Sequence, residues 1–155
     1  MKLRATKFVV LALLVIAGAA VHRFVLRGPT KDDRQQILEL VASVEQAVEE
    51  KKGSQILDHV SRDYHDDAGN DQRQLSRLVI AAFREPAPFD LVVELTDLQI
   101  SGDQATLRTD VEFAVGGPVG AGSSTRLEVT AKLRRELGAW KVIEARGWEG
   151  ASEQF

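Results

Sequence analysis

The sequence of 155 residues contains no cysteine, and this absence excludes several kinds of chemistry. A chain without cysteine forms no disulfide, has no thiol nucleophile or cysteine-ligated metal, and carries no lipid on an N-terminal cysteine. Histidine is also scarce: only His22, His59 and His65 are present, and their spacing matches no zinc motif. We therefore expect no bound metal and no cofactor.

Acidic residues are missing from the first 28 positions, where five basic residues surround a long apolar block. Phe8–Val21 carries no charge, and residues 8–26 are long enough to cross a bilayer if Arg23 reaches the far interface. The same stretch fits a secretory signal peptide, with the Ala-Gly-Ala of residues 17–19 as a cleavage site. We favour an uncleaved membrane anchor over a cleaved signal peptide.

These features divide the chain into residues 1–29, an N-terminal signal anchor or signal peptide, a domain over residues 30–150, and a tail over residues 151–155. The expected location is the bacterial inner membrane, crossed once, with the domain in the periplasm. The alternative is a cleaved form that is soluble in the periplasm.

The charge of the domain excludes one class of partner. After Gly28 there are 15 basic and 23 acidic residues, a net charge of −8. Nucleic-acid binding depends on neutralising phosphates with basic side chains, so we expect no nucleic-acid partner. An acidic domain is also repelled by anionic lipid, and we do not expect it to lie flat on the bilayer.

The first part of the domain has the pattern of an amphipathic helix over about residues 30–52. Its apolar positions recur with helical spacing at Ile37, Val41, Val44 and Val48. Thr30 is the expected N-cap, with two carboxylates in the first turn, and Gly53 is the expected C-cap.

Two shorter helices are predicted after this one. The first begins at Ser54 and includes Val60 on its apolar side. A polar loop is expected over Arg62–Asp71, and the third helix begins at about Asp71 and stops before Pro86, whose ring and missing N–H end helices.

From Phe89 onward, apolar and polar residues alternate, which is typical of strands with one buried face. Strands are expected over residues 89–95, 105–115 and 126–134, and from Trp140 to near Trp148. A glycine-rich loop is expected over Gly116–Ser124. Helices followed by strands predict an α+β domain, with the helices packed in the concave face of a curved antiparallel sheet.

The element order and two short motifs resemble the nuclear transport factor 2-like superfamily, in particular small exported bacterial members of unassigned activity. The motifs are Asp63-Tyr64-His65-Asp66 with Gly69, before the third helix, and Gly138-Ala139-Trp140-Lys141-Val142 in the last turn and strand. The resemblance covers residues 31–148. It implies a cone with an open mouth, on a fold that hosts enzymes, ligand binders, adaptors and scaffolds and does not by itself choose a function.

One cluster of titratable residues surrounds Tyr64, the only tyrosine of the chain. An isomerase-like site needs a carboxylate base in an apolar pocket facing a tyrosine, and Asp66 or Asp110 could be that base. The cluster also fits the residue preferences of a turn, which is the interpretation we favour. The enzyme hypothesis requires the Tyr64 hydroxyl and a carboxylate to share an apolar cavity.

The last strand contains the best candidates for binding. Strict alternation places Trp140, Val142, Glu144, Arg146 and Trp148 on one face. Either a bulge near Glu144 restores the register, or Glu144 and Arg146 point into the cone, where a mutual ion pair would satisfy both. The predicted ligand-binding residues are Trp140, Glu144, Arg146 and Trp148.

Two classes of function remain open at this point. The leading hypothesis is a non-catalytic module, tethered to the membrane, that binds a small apolar ligand or a partner protein through the cone mouth and sheet. The alternative is an isomerase- or dehydratase-like enzyme that uses Tyr64 and an aspartate. The mixed charge predicted for the outer sheet face favours a monomer or a weak, salt-sensitive homodimer.

Overall fold

The computed structural model describes residues 32–119 and 124–147. The predicted anchor, the Thr30 cap, Trp148 and the tail lie outside these residues. Within them, no helix combines the length and the apolar character needed to cross a membrane.

The described residues form three helices and five strands. The helices are α1 (Asp33–Glu49), α2 (Gly53–Leu57) and α3 (Gln72–Phe83), and the strands are β1 (Val60–Asp66), β2 (Phe89–Ser101), β3 (Gln104–Val115), β4 (Ser124–Glu136) and β5 (Ala139–Arg146). The strands form one curved sheet in the order β1-β5-β4-β3-β2, with α1 packed against β2 and β5. This is the predicted α+β architecture.

The sheet is mixed, whereas the sequence predicted an antiparallel one. The four strands from β2 to β5 form an antiparallel meander, but β1 runs parallel to β5. The prediction of a polar loop over Arg62–Asp71 was therefore wrong for Arg62–Asp66, which belong to β1, whereas residues 67–70 form a turn. β1 adds to the edge of β5, where Val142 donates its N–H to the His59 carbonyl at 2.9 Å.

Helix α1 begins and ends at residues other than those predicted. The Asp32 side chain caps it by accepting the Gln35 N–H at 2.7 Å. The helix ends at Glu49, before Gly53, which is instead the first residue of α2. A Cβ at Gly53 would lie 2.8 Å from Cγ1 of Val79, so glycine is needed there for close packing of α2 on α3.

The segment after α1 differs from the prediction at Val60, which begins β1 and does not belong to the short helix. Helix α3 agrees with the prediction at both ends. Asp71 and Gln74 form a reciprocal capping box, and the helix stops at Phe83, before Pro86.

The core lies between the helices and the concave face of the sheet. Its largest fully buried side chains include Tyr64, Phe113, Ile37, Ile56, Leu75 and Leu133. The four apolar positions predicted for α1 are all buried, as are the alternating apolar positions of β4 and those of β3 from Ala105 to Phe113. The interior is therefore occupied by packed side chains.

The outer edge of β2 is protected by a carboxylate from α1. Glu45 Oε1 accepts the Val93 N–H at 2.7 Å, so this donor of the edge strand has a partner within the domain. Burial raises the pKa of Glu45, the hydrogen bond from Val93 lowers it, and nearby Glu49 raises it further, with a net rise above 4.5.

Because the folded state binds the Glu45 proton more tightly than the unfolded chain, this group lowers stability as pH rises above about 4.5. We expect Glu45→Gln, which keeps an acceptor for Val93, to be more stable than wild type at pH 8, with the difference vanishing towards pH 4. Urea unfolding across this pH range measures it. Glu45→Ala, which removes the acceptor, should be less stable than Glu45→Gln throughout. An equal difference between wild type and Glu45→Gln at pH 4 and pH 8 would contradict the assignment.

Gly147, directly after β5, has a backbone that excludes other residues for two reasons. Its φ is +119°, and a Cβ there would overlap the Glu128 carbonyl oxygen. Gly102, in the β2–β3 turn, shares only the positive φ and has open space around it. We expect Gly147→Ala to cost about 3 kcal/mol of unfolding free energy and Gly102→Ala about 1 kcal/mol. Chemical denaturation measures both, and equal costs would show that the overlap relaxes freely.

Candidate functional site

Tyr64 lies in β1 and is buried, so it does not face solvent from a loop. Its hydroxyl donates to Asp66 Oδ2 at 3.4 Å, and both side chains are buried on the same side of the strand. Burial raises the pKa of Tyr64, and the charge of Asp66 raises it further. The structure therefore brings together Tyr64 and one of its two proposed carboxylate partners, with the phenol held protonated.

The Asp66 carboxylate is occupied by other donors as well. It accepts the Asn70 backbone N–H at 2.7 Å and the Asn70 side-chain amide at 3.0 Å, which fixes the turn between β1 and α3. Tyr64 and Asp66 line neither the groove beside Trp140 nor the cavity beside α3. The geometry matches the structural interpretation of this cluster.

Asp110, the other proposed base, lies on the exposed face of β3. The buried residues of β3 alternate with it, and its carboxylate pairs with Arg126 at 3.2 Å. Tyr64 belongs to the core on the opposite face. The structure does not bring Tyr64 and Asp110 together.

The register of β5 changes at Ile143. Lys132 pairs with Glu144 and Leu133 pairs with Val142, so Ile143 is an extra residue, a β-bulge. Of the two alternatives predicted for this strand, the structure has the bulge near Glu144 that restores the register. Trp140 and Val142 stay buried before the bulge, Ala145 is buried after it, and Glu144 shares the outer face with Lys132.

Glu144 is nonetheless shielded, because basic side chains surround its carboxylate. Lys132 Nζ lies 3.0 Å from Oε2, and His65 Nε2 lies 3.5 Å from the same oxygen. Arg146 Nε lies 2.5 Å from Oε1. Burial alone would raise the pKa of Glu144, but Lys132 and Arg146 outweigh it and lower the pKa. Glu144 and Arg146 thus form an outer-face ion cluster, separate from Trp140.

Trp140 borders a surface groove between α1 and the β4–β5 turn. The groove has a volume of about 370 Å³, and we call it the Trp140 groove; it is lined by Gln36, Glu39, Leu40, Ser43, Gly138, Ala139 and Trp140. Four of these residues belong to α1. Counted from Gln36, the other three lie three, four and seven positions further along, so all four share one helix face. The groove is thus built from two rigid elements.

The indole of Trp140 has an unusual environment. It is only 2% exposed, and its Nε1–H has no hydrogen-bond acceptor among the described residues. The Arg135 guanidinium lies 4.7 Å from the ring centroid, held by ion pairs to Asp33 and Asp103. A buried donor without a partner costs about 1–3 kcal/mol, so this one calls for an explanation.

The turn beside the groove carries a strained and exposed leucine. Leu137 and Gly138 form a two-residue hairpin turn with φ of +50° and +83°, in which both residues are left-handed. Asparagine or glycine suits such positions, whereas a leucine costs about 1 kcal/mol. The Leu137 side chain is also fully exposed.

His59 is a second buried polar residue that lacks partners within the described residues. It is 1% exposed, and neither ring nitrogen has a hydrogen bond. Burial and, to a smaller extent, the charge of Lys141 lower its pKa to about 2, so the ring is neutral at physiological pH. It packs with the core and adds no charge to either cavity.

The sequence predicted Trp140 as a binding residue, and the structure places it in a groove; the α1 residues of this groove and Leu137 were not predicted. The available signal was the pair Leu137-Gly138 between two strands, where an Asn-Gly pair would be ordinary. The α1 residues carried no signal, because a polar side chain on a helix is normally solvated. Within the described residues, no group of three or more His, Asp and Glu side chains is arranged to hold a metal ion.

Comparisons with known proteins bear on the fold. No family model and no curated protein matches this sequence. Many solved structures are similar, and three of them show the range of descriptions. A cystatin-like protein of unknown function from Nostoc punctiforme is 17% identical, with a TM-score of 0.60, over 74% of this chain and 89% of that one. A nuclear transport factor 2-like protein from Cytophaga hutchinsonii is 14% identical, with a TM-score of 0.58, over 76% and 98%.

A third similar structure, a scytalone dehydratase-like protein from Novosphingobium aromaticivorans, is 8% identical, with a TM-score of 0.64, over 74% of this chain and 82% of that one. The chain therefore has the nuclear transport factor 2-like fold, which confirms the resemblance seen in the sequence. Neighbours of this fold include dehydratase-like proteins and proteins of unknown function, so the function must be argued from this chain's own residues.

Replacing Leu137 tests the strain in the turn. Asparagine tolerates a positive φ, so we expect Leu137→Asn to raise the unfolding free energy by about 1 kcal/mol and Tm by about 4 °C. Leu137→Ala, which keeps the strained backbone and loses no buried area, should leave Tm nearly unchanged. Thermal unfolding followed by circular dichroism measures both, and equal shifts for Asn and Ala would contradict strain at this position.

Proposed function

We propose that this protein is a non-catalytic binding module, tethered to the bacterial inner membrane with its domain in the periplasm. In this proposal the Trp140 groove and the exposed Leu137 beside it bind a segment of a partner protein. The observation that carries the proposal is at Trp140, a residue that lines the groove and whose buried N–H has no acceptor among the described residues.

A bound peptide carbonyl would give this donor its missing partner. The rest of the groove offers a matching environment: Leu40 and Ala139 supply apolar contact, and Ser43 supplies a hydroxyl. Because the indole is packed beneath Arg135, the donor is already held in place. Preorganised groups lose little entropy on binding, which favours affinity.

Leu137 favours a protein partner over a small apolar ligand. Its side chain lies in solvent outside the groove, so a small ligand that filled the groove would leave this side chain exposed. An exposed apolar residue held at an energetic cost is typical of a functional contact. The packed core of the described residues also offers no support for an internal apolar ligand.

The enzyme alternative is less well supported. Tyr64 and Asp66 do share a buried environment, but the aspartate is saturated by Asn70 and the pair borders neither of the two cavities. A base needs access to the proton that it removes. The geometry therefore gives this pair the task of fixing the β1–α3 turn.

Peptide selection tests the binding proposal without a known partner. The full chain in lipid nanodiscs is used to select peptides from a random display library, and binding is followed by the indole N–H resonances in NMR spectra. The chain has two tryptophans, so Trp140→Phe assigns its resonance. Selected peptides should shift the Trp140 resonance, and Trp140→Phe should weaken their binding about five- to tenfold, the worth of one hydrogen bond.

Leu137→Ala should weaken the binding of the same peptides. Leu38→Ala, which truncates an exposed leucine of α1 outside the groove, should leave their binding unchanged. The proposal would be refuted if no peptide were selected, or if the selected peptides left the Trp140 resonance unshifted and bound Leu137→Ala as tightly as wild type.

The proposed tether has a separate test. Mass spectrometry of the membrane fraction should find an intact N-terminus, and a mature N-terminus at Ala20 or Val21 would refute it.

A further inference from the structure

Helix α3 differs in charge from the rest of the domain. Gln72–Phe83 contains no acidic residue, and it carries Arg73 and Arg77, with Arg84 as its C-cap. The chain after Gly28 has a net charge of −8. The helix is thus a basic strip on an acidic domain.

Two of these arginines share a groove. A cavity of about 610 Å³ lies beside α3, and its lining residues are Leu57, Gln72, Arg73, Ser76 and Arg77. Arg73 and Arg77 are one helical turn apart, so their like charges face the same space. This arrangement is mutually repulsive and is relieved by an anion placed between them.

Neither guanidinium group has a partner in the part of the chain that the structure describes. By contrast, Arg126, Arg134 and Arg135 are each paired with carboxylates. No carboxylate of the described residues therefore neutralises the two groove arginines, and they are available for an external ligand.

Apolar surface adjoins the charge. Leu57 is half-buried at the groove wall, and Ile80, one turn beyond Arg77, is 51% exposed. Gln72 is fixed by donating to the Val60 carbonyl at 3.1 Å, which ties α3 to the edge of β1. The groove therefore combines two cations with apolar contacts on a held helix.

We propose that this α3 groove binds an acidic segment of a protein, with carboxylates on Arg73 and Arg77 and an apolar side chain against Leu57 and Ile80. Guanidinium groups bind carboxylates through paired hydrogen bonds, which favours arginine over lysine at such a site. A flat anionic bilayer fits less well, because the arginines line a recess and the domain as a whole is acidic. This site is separate from the Trp140 groove and does not depend on it.

Fluorescence anisotropy of the full chain in neutral nanodiscs tests the proposal. The probe is a fluorescein-labelled peptide that repeats Glu-Glu-Leu four times, and the matched control peptide has glutamine at every glutamate position. We expect the glutamate peptide to bind with a Kd below 100 μM, the glutamine peptide to bind at least tenfold more weakly, and 300 mM salt to weaken the glutamate peptide at least fivefold.

The double variant Arg73→Gln, Arg77→Gln should lose at least tenfold in affinity. Its control, Arg34→Gln, Arg108→Gln, removes the same charge from two exposed arginines outside the groove and should bind as wild type does. Circular dichroism confirms that both are folded. Trp140→Phe should also bind as wild type does, which separates this site from the proposed partner groove.

Three outcomes would overturn the proposal. The glutamate peptide could fail to bind at 100 μM, or both double variants could lose affinity equally, which would indicate net charge alone. Alternatively, vesicles of phosphatidylcholine and phosphatidylglycerol at three to one, or inorganic phosphate, could bind through Arg73 and Arg77 while the peptide does not. That outcome would assign the groove to another anion.

Discussion

One extra residue, Ile143, determines which side chains of β5 lie inside the domain. Because of this bulge, Trp140 and Val142 face the core before it and Ala145 faces the core after it, while Glu144 joins the outer face. The parallel addition of β1 depends on the result, since His65 lies opposite Glu144 and Asp66 lies opposite Ala145. Without the extra residue, a charged side chain would enter the core, at a cost that only a buried partner could offset.

The bulge also separates the two kinds of polar chemistry that β5 carries. On the outer face, Glu144 is paired with Lys132 and Arg146. On the inner face, Trp140 lines an open groove, and its indole N–H has no acceptor within residues 32–119 and 124–147. A binding site is better sought where a group lacks its partner than where every charge is matched, and this is why the Trp140 groove and the α3 groove stand out.

Both grooves lie on secondary-structure elements that are fixed by independent contacts. The Trp140 groove is held by α1, whose apolar face is buried, and by a tight hairpin turn. The α3 groove lies on a helix with a complete capping box at Asp71 and a side-chain bond to the edge of β1. Two features are energetically unfavourable, the strained Leu137 and the two neighbouring arginines. Both are local, and the stability of the packed core offsets their cost.

Periodicity by itself predicted the α1 and α3 helices, the alternating strands and the α+β class, because helical and strand spacing are local properties of the chain. The sequence also placed the start of α3 at about Asp71, which is its N-cap in the structure. Trp140 as a binding residue stays a prediction. Only the tertiary structure decided that Tyr64 and Asp66 are buried in a strand, because β1 exists through its pairing with β5, some eighty residues away in sequence. The same holds for the groove residues of α1 and for Arg73 and Arg77, which have no partner among the described residues. Whether a polar side chain is solvated, paired or without a partner depends on its neighbours in space, and those neighbours come from distant parts of the chain.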